Sequence, residues 1–136
     1  MKKIRFIIVI LCLFTLTLGC QKKGNNIDGS LASIMEKVYA NIPSDNLPAL
    51  ENIKVTKDNQ EYYLGSNDFS YKEALASEPL MSSIAHSVVL VRVNSINDVE
   101  KIKKEIKEKI DPRKWVCVGV EDNNVIVESK GNLIIL

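Results

Sequence analysis

From Ser87 to Val93 the chain reads SVVLVRV, an apolar run with Arg92 as its one internal break. β-branched side chains lose rotamer freedom in a helix and pack well on a pleated surface, so the stretch Ser83–Val93 is expected as a strand. Successive strand residues point to opposite faces, and Val88, Val89, Leu90, Val91 and Val93 leave neither face polar. Both faces then need cover, as in the central strand of a sheet. The remainder of the chain has to provide the flanking strands and the covering layer.

Periodicity suggests where they are. Leu31, Ile34, Met35, Val38, Tyr39 and Ile42 recur at i, i+3, i+4, i+7, i+8 and i+11, one stripe of an amphipathic helix. Ser30 or Asp28 can cap it, and Pro43 ends it. Residues Ser44–Gln60 contain Pro48 and weak alternation at Ile53 and Val55, which predicts a loop with a short strand. Glu61–Leu64 predicts another strand, stopped by the turn formers Gly65–Asp68, and Ser70–Ser77 a short helix stopped by Pro79. After the central strand, Asn97 and Glu100 have capping-box spacing and open a helix with Val99, Ile102, Ile106 and Ile110 on one face, closed by Pro112. Strands are expected over Trp115–Val120, Val125–Glu128 and Leu133–Leu136, with turns at Glu121–Asn124 and Lys130–Asn132. A β-α-β unit followed by two hairpin turns predicts an α+β fold of two layers: a mixed sheet, helices on one face, and a C-terminal antiparallel meander.

The N-terminus has another character. Lys2, Lys3 and Arg5 precede an almost unbroken apolar stretch from Phe6 to Leu18, the charged and apolar regions of a secretory signal. The stretch is short for a membrane span, which takes about 20 apolar residues. Thr17–Cys20, with Gly19 just before the cysteine, resembles a bacterial lipobox. That resemblance implies that Cys20 takes a diacylglyceryl thioether and becomes the mature N-terminus. A thiolate is the soft nucleophile such an alkylation needs, and two acyl chains anchor stably where one binds only marginally. Gln21–Gly29 is polar with two glycines and reads as a flexible tether of roughly 15–18 Å r.m.s. span. The expected organisation is a signal peptide over 1–19, a lipidated tether over 20–29 and one exported domain over 30–136. Of the three cysteines, Cys12 leaves with the signal and Cys20 carries lipid, so Cys117 remains without an internal disulfide partner.

Along its length the chain resembles the small lipoproteins of Gram-positive bacteria, of clostridial type, whose exported part is a domain of unknown function. The likeness runs through the leader and Cys20, the first helix, "YYLGSNDFSYKEAL", "EPLMSSIAHSVVLVRV", "DPRKWVCVGVEDNNVIV" and "KGNLIIL". It implies a location on the extracellular face of the cell membrane and attachment through lipid on Cys20. It brings no catalytic residues with it.

Charge and composition restrict the function. The 19-residue leader holds three basic groups and no acid, so 15 basic and 17 acidic side chains remain beyond it, a formal −2 that gives no bulk electrostatic case for binding nucleic acid. One histidine, no C-x-x-C and no calcium-loop spacing leave no metal site to name, and no cofactor motif is present. The lysines of the helix after Asn97 interleave with Glu100, Glu105 and Glu108, the pattern of a solvated face. His86 and Cys117 would form a nucleophile pair if their strands lay adjacent. Cys117 among Val116, Val118 and Val120 instead reads as a small buried apolar side chain. Four of the six aromatics beyond the leader, Tyr62, Tyr63, Phe69 and Tyr71, fall around the turn at Gly65–Asp68. They are the candidate surface for an envelope protein or glycan, as against packing on the sheet. The function expected is an exported, lipid-anchored accessory or binding domain of the cell envelope. The alternatives are a thiol enzyme using Cys117 with His86 and a structural subunit of a membrane complex.

Overall fold

The structure, a computed structural model, describes residues 26–136. The leader, Cys20 and the first part of the tether lie outside the described residues. The elements are helix α1 (Leu31–Tyr39), strand β1 (Leu50–Lys54), helix α2 (Gln60–Leu64), strands β2 (Glu73–Pro79) and β3 (Val88–Arg92), helix α3 (Val99–Lys109), and strands β4 (Glu128–Lys130) and β5 (Leu133–Ile135). The class is α+β, closing on antiparallel strands.

The strand order is β1-β2-β3-β5-β4, with every neighbouring pair antiparallel. This corrects the mixed sheet expected from the β-α-β unit, and the reason lies in composition. β3 and β4 do run the same way on either side of α3, but β5 inserts between them and pairs with both. β5 buries Leu133 toward one face and Ile134 toward the other, whereas β4 is Glu128, Ser129 and Lys130. The apolar strand takes the interior, and the short charged one makes a poor template for further pairing and takes the edge.

Helices cover both faces, where one was expected. On one side Leu31, Ile34 and Met35 of α1 pack on Leu90 and Leu133. On the other, Tyr63 and Leu64 of α2 and Val99, Ile102 and Ile106 of α3 pack on Ala74, Ala76, Val89, Val91 and Ile134. The alternation within β3 demands this, because Leu90 faces α1 while Val89 and Val91 face α3, and all three are fully buried.

Helix α1 starts where expected: the Ser30 hydroxyl accepts the Ser33 N–H at 3.2 Å, which satisfies one of the free amides of the first turn. The start of α3 differs. A 3-10 turn over Ile96–Asp98 precedes it, capped by the Ser95 hydroxyl, which accepts the Asn97 N–H at 3.2 Å, so the capping-box role given to Asn97 falls to Ser95. Glu61–Leu64, expected as a strand, is helix α2. The buried Gln60 amide donates to the Ser66 and Phe69 carbonyls, both at 2.9 Å, and Gly65 at φ +75° closes the turn through its N–H to the Glu61 carbonyl. Ser70–Ser77, expected as a helix, instead supplies most of β2, because pairing with both β1 and β3 outweighs the helix propensity of Glu73, Ala74, Leu75 and Ala76. Trp115–Val120 is not a strand: apart from a 3-10 turn at Asp122–Asn124, residues 110–127 are irregular.

The sheet has two unlike ends. At one, Arg92 donates to the carbonyls of Ile27 (2.6 Å) and Gly29 (2.7 Å) and pairs with Glu73 (2.7 Å), and the Asn132 N–H donates to Asn26 Oδ1. The tether joins the domain there. The loops 80–87 and 110–127 crowd the opposite end, where Val116 N–H donates to the Ser82 carbonyl at 3.0 Å.

Candidate functional site

The loop end is where polar and aromatic groups converge. Glu78 lies near the end of β2 on the α2 side, in a position that would otherwise be apolar core. Lys114 enters from the irregular segment and pairs with it, both side chains nearly inaccessible at 5% and 7% exposure. The same ammonium lies 3.3 Å from the Ser87 hydroxyl. Three aromatic faces surround it, those of Tyr62, Tyr63 and Trp115, with ring centroids 4.7, 4.9 and 5.1 Å from Nζ. The negative faces of these rings stabilise a cation that has given up water, and Glu78 supplies the counter-charge.

Burial holds the Lys114 ammonium below its ordinary pKa, opposed by the hydrogen bond and charge of Glu78. The Tyr63 phenol is pushed up to about 12, first by burial and then by the Glu78 charge. Tyr62 rises for the same two reasons. A cavity of about 100 Å³ opens beside this cluster between His86, Ser87, Trp115, Ile126 and Leu136.

The four aromatics singled out in the sequence separate into two pairs. Tyr62 and Tyr63 meet edge-to-face at 4.9 Å and clasp Lys114. Phe69 and Tyr71 meet at 6.5 Å against the core, Phe69 buried and Tyr71 half-buried. Only Tyr62 keeps substantial exposure, at 43%. The ring faces of the tyrosine pair are engaged by the chain's own cation, an arrangement that composition around Gly65–Asp68 does not convey. Lys114, Glu78 and Trp115 are what sequence reasoning missed. The available signal was Glu78 following the mostly small, apolar Ala74–Ser77, and a lysine next to the single tryptophan in "DPRKWVCVG".

Cys117 and His86 are not joined. Cys117 is exposed, with its backbone at φ +60°, which corrects the expectation of a buried strand thiol: the segment folds back on itself, Val120 N–H donating to the Pro112 carbonyl at 2.9 Å. It lines a separate concavity with Arg113, Trp115 and Glu121. His86 Nε2 is engaged by the Tyr39 hydroxyl at 2.9 Å, and burial lowers the pKa of the ring, with Glu78 opposing. Among the described residues no three metal-ligating side chains converge, and no helix is long and apolar enough to cross a membrane.

Comparison with protein-family models, with curated proteins and with solved structures returns no match.

Proposed function

We propose that the chain is an exported, lipid-anchored accessory or binding domain of the bacterial cell envelope that acts by holding a partner rather than by catalysis. The observation that carries this reading is the seam at Gly19-Cys20, where a basic and then apolar leader gives way to a polar tether. The fold is compatible with a body held close to the membrane, since Arg92 clasps the backbone at Ile27, seven positions after Cys20. The thiol-enzyme alternative has no geometric support: His86 is bound to Tyr39, and Cys117 lies outside the cavity that His86 lines.

The test is metabolic labelling with palmitate in a Gram-positive host. Label in the membrane fraction is expected for the native chain. Cys20→Ser is expected to abolish the label and to leave unprocessed precursor, with its apolar leader still attached. Palmitate-free native chain dissolved in the cytosol overturns the reading. Removal of the exposed thiol by Cys117→Ala is expected to leave partner capture and phenotype unchanged.

A further inference from the structure

Seven large apolar side chains are exposed among the described residues, and they are not spread evenly. The four most exposed are Leu80 (62%), Met81 (62%), Val116 (60%) and Ile126 (67%). All four stand at the loop end of the sheet. Leu80 and Met81 follow Pro79 directly, Val116 is tied to Ser82, and Ile126 borders the cavity with His86 and Leu136. Ile42 and Tyr62 extend the same end, because α1 finishes at Tyr39 beside His86 and Tyr62 sits on Lys114. Only Ile96 lies toward the end where the tether enters. A clustered apolar surface on an otherwise polar exterior is the mark of an interaction site.

Chain length selects its occupant. Seven Cα–Cα steps lead from Cys20 to Ile27 in the clasped backbone, and they reach roughly 23–25 Å when fully extended. β2, from Glu73 to Pro79, spans roughly 20 Å from the tether end to the loop end. A fully stretched tether outreaches the strand by only a few ångströms, and the chain beyond Pro79, where Leu80 extends the ladder to Ala49, takes these up. With lipid on Cys20 the apolar end cannot be pressed face-on into the same bilayer. Its side chains are mostly aliphatic, which suits the apolar surface of a protein better than a sugar ring, where stacking on exposed aromatics and polar contacts dominate.

We infer that the pole formed by Leu80, Met81, Val116 and Ile126 is a docking surface for a separate envelope protein, which it meets with an apolar surface on the side facing away from the membrane. This rests on the anchoring proposed above. The test uses the full chain in its membrane, with a photo-crosslinking side chain at position 81 or 116 and, as control, at position 72 by the tether end. An environment-sensitive probe on Cys117, beside Val116, reads depth.

The expected result is one heterologous adduct of discrete mass from positions 81 and 116, with an apolar crosslinked peptide, and none from position 72. It should fall about tenfold or more in the double variant Leu80→Asp, Ile126→Asp, whose melting is unchanged. The Cys117 probe should escape a quencher carried by lipid. An adduct of twice the chain's mass assigns the pole to a second copy, and quenching by lipid assigns it to the membrane. Either result, or palmitate-bearing protein with no adduct, overturns the inference while leaving the anchoring intact. Absence of palmitate overturns the anchoring and the tether argument with it.

Discussion

At the residue scale the dominant fact is that a charged pair sits where apolar side chains would pack. Removing one partner leaves the other charge desolvated, whereas replacing both by apolar groups removes the desolvation cost as well as the attraction. Lys114→Met keeps most of the aliphatic stem under the aromatic rings but strands the Glu78 carboxylate, and it is expected to destabilise the fold by about 3–5 kcal/mol. The double variant Lys114→Met, Glu78→Leu is expected to recover most of that loss. Urea unfolding of the two single variants and the double closes the cycle, and additive losses would show that the pair is not coupled. His86 gives a separate pH signature. Its folded-state pKa lies below the ordinary 6.5, so as pH falls through that range the unfolded chain takes up a proton that the folded one resists. Stability present above 6.5 is lost below it. The urea midpoint is expected to drop between about pH 7 and about pH 5, and His86→Gln, which can still bond the Tyr39 hydroxyl, should flatten that drop.

At the element scale, what could be read from sequence depended on whether a segment's partners lie within it. α1 and α3 carry their stripes in their own sequence, and β3 declares its two-sided burial in the apolar run Val88–Val91, so all three are legible. β2 is not, because residues that favour a helix become a strand only when β1 and β3 supply ladders on both sides. α2 is hidden for the converse reason: tyrosines that favour a strand are held helical by the Gln60 amide and by Gly65. The candidate site was least legible, since Glu78 and Lys114 are 36 positions apart and meet only through an irregular segment. The insertion of β5 between β3 and β4 makes a prediction of its own. Ile134, fully buried under α3, ties the sheet to its helical layer, and Ile134→Ala is expected to cost about 2–5 kcal/mol in urea unfolding. Ser129→Ala, on the edge strand, is expected to stay within about 0.5 kcal/mol.

At the scale of the whole molecule, the domain is polar in the geometric sense, with a clasp for its N-terminal segment at one end and exposed apolar loops at the other. The clasp is more than a point of entry. Arg92 is a charged side chain at 9% exposure on the α1 face, and Glu73 alone leaves part of its guanidinium unpaired. The Ile27 and Gly29 carbonyls each accept from one of its terminal nitrogens, so a segment that composition marks as flexible tether is bound into the fold over residues 26–29. A chain beginning at residue 26 retains both carbonyls, whereas one beginning at residue 30 loses both and leaves Arg92 to find water in a half-closed site. Hydrogen bonds to a charged group contribute about 1.5–3 kcal/mol each, and solvent entering the opened end offsets part of the loss, so the shorter chain is expected to be less stable by about 2–4 kcal/mol. Thermal melts of the two truncations, each also carrying Arg92→Met, separate this from a general effect of shortening. The difference between the truncations should largely disappear once the guanidinium is gone, because the residues removed then have no buried charge to satisfy.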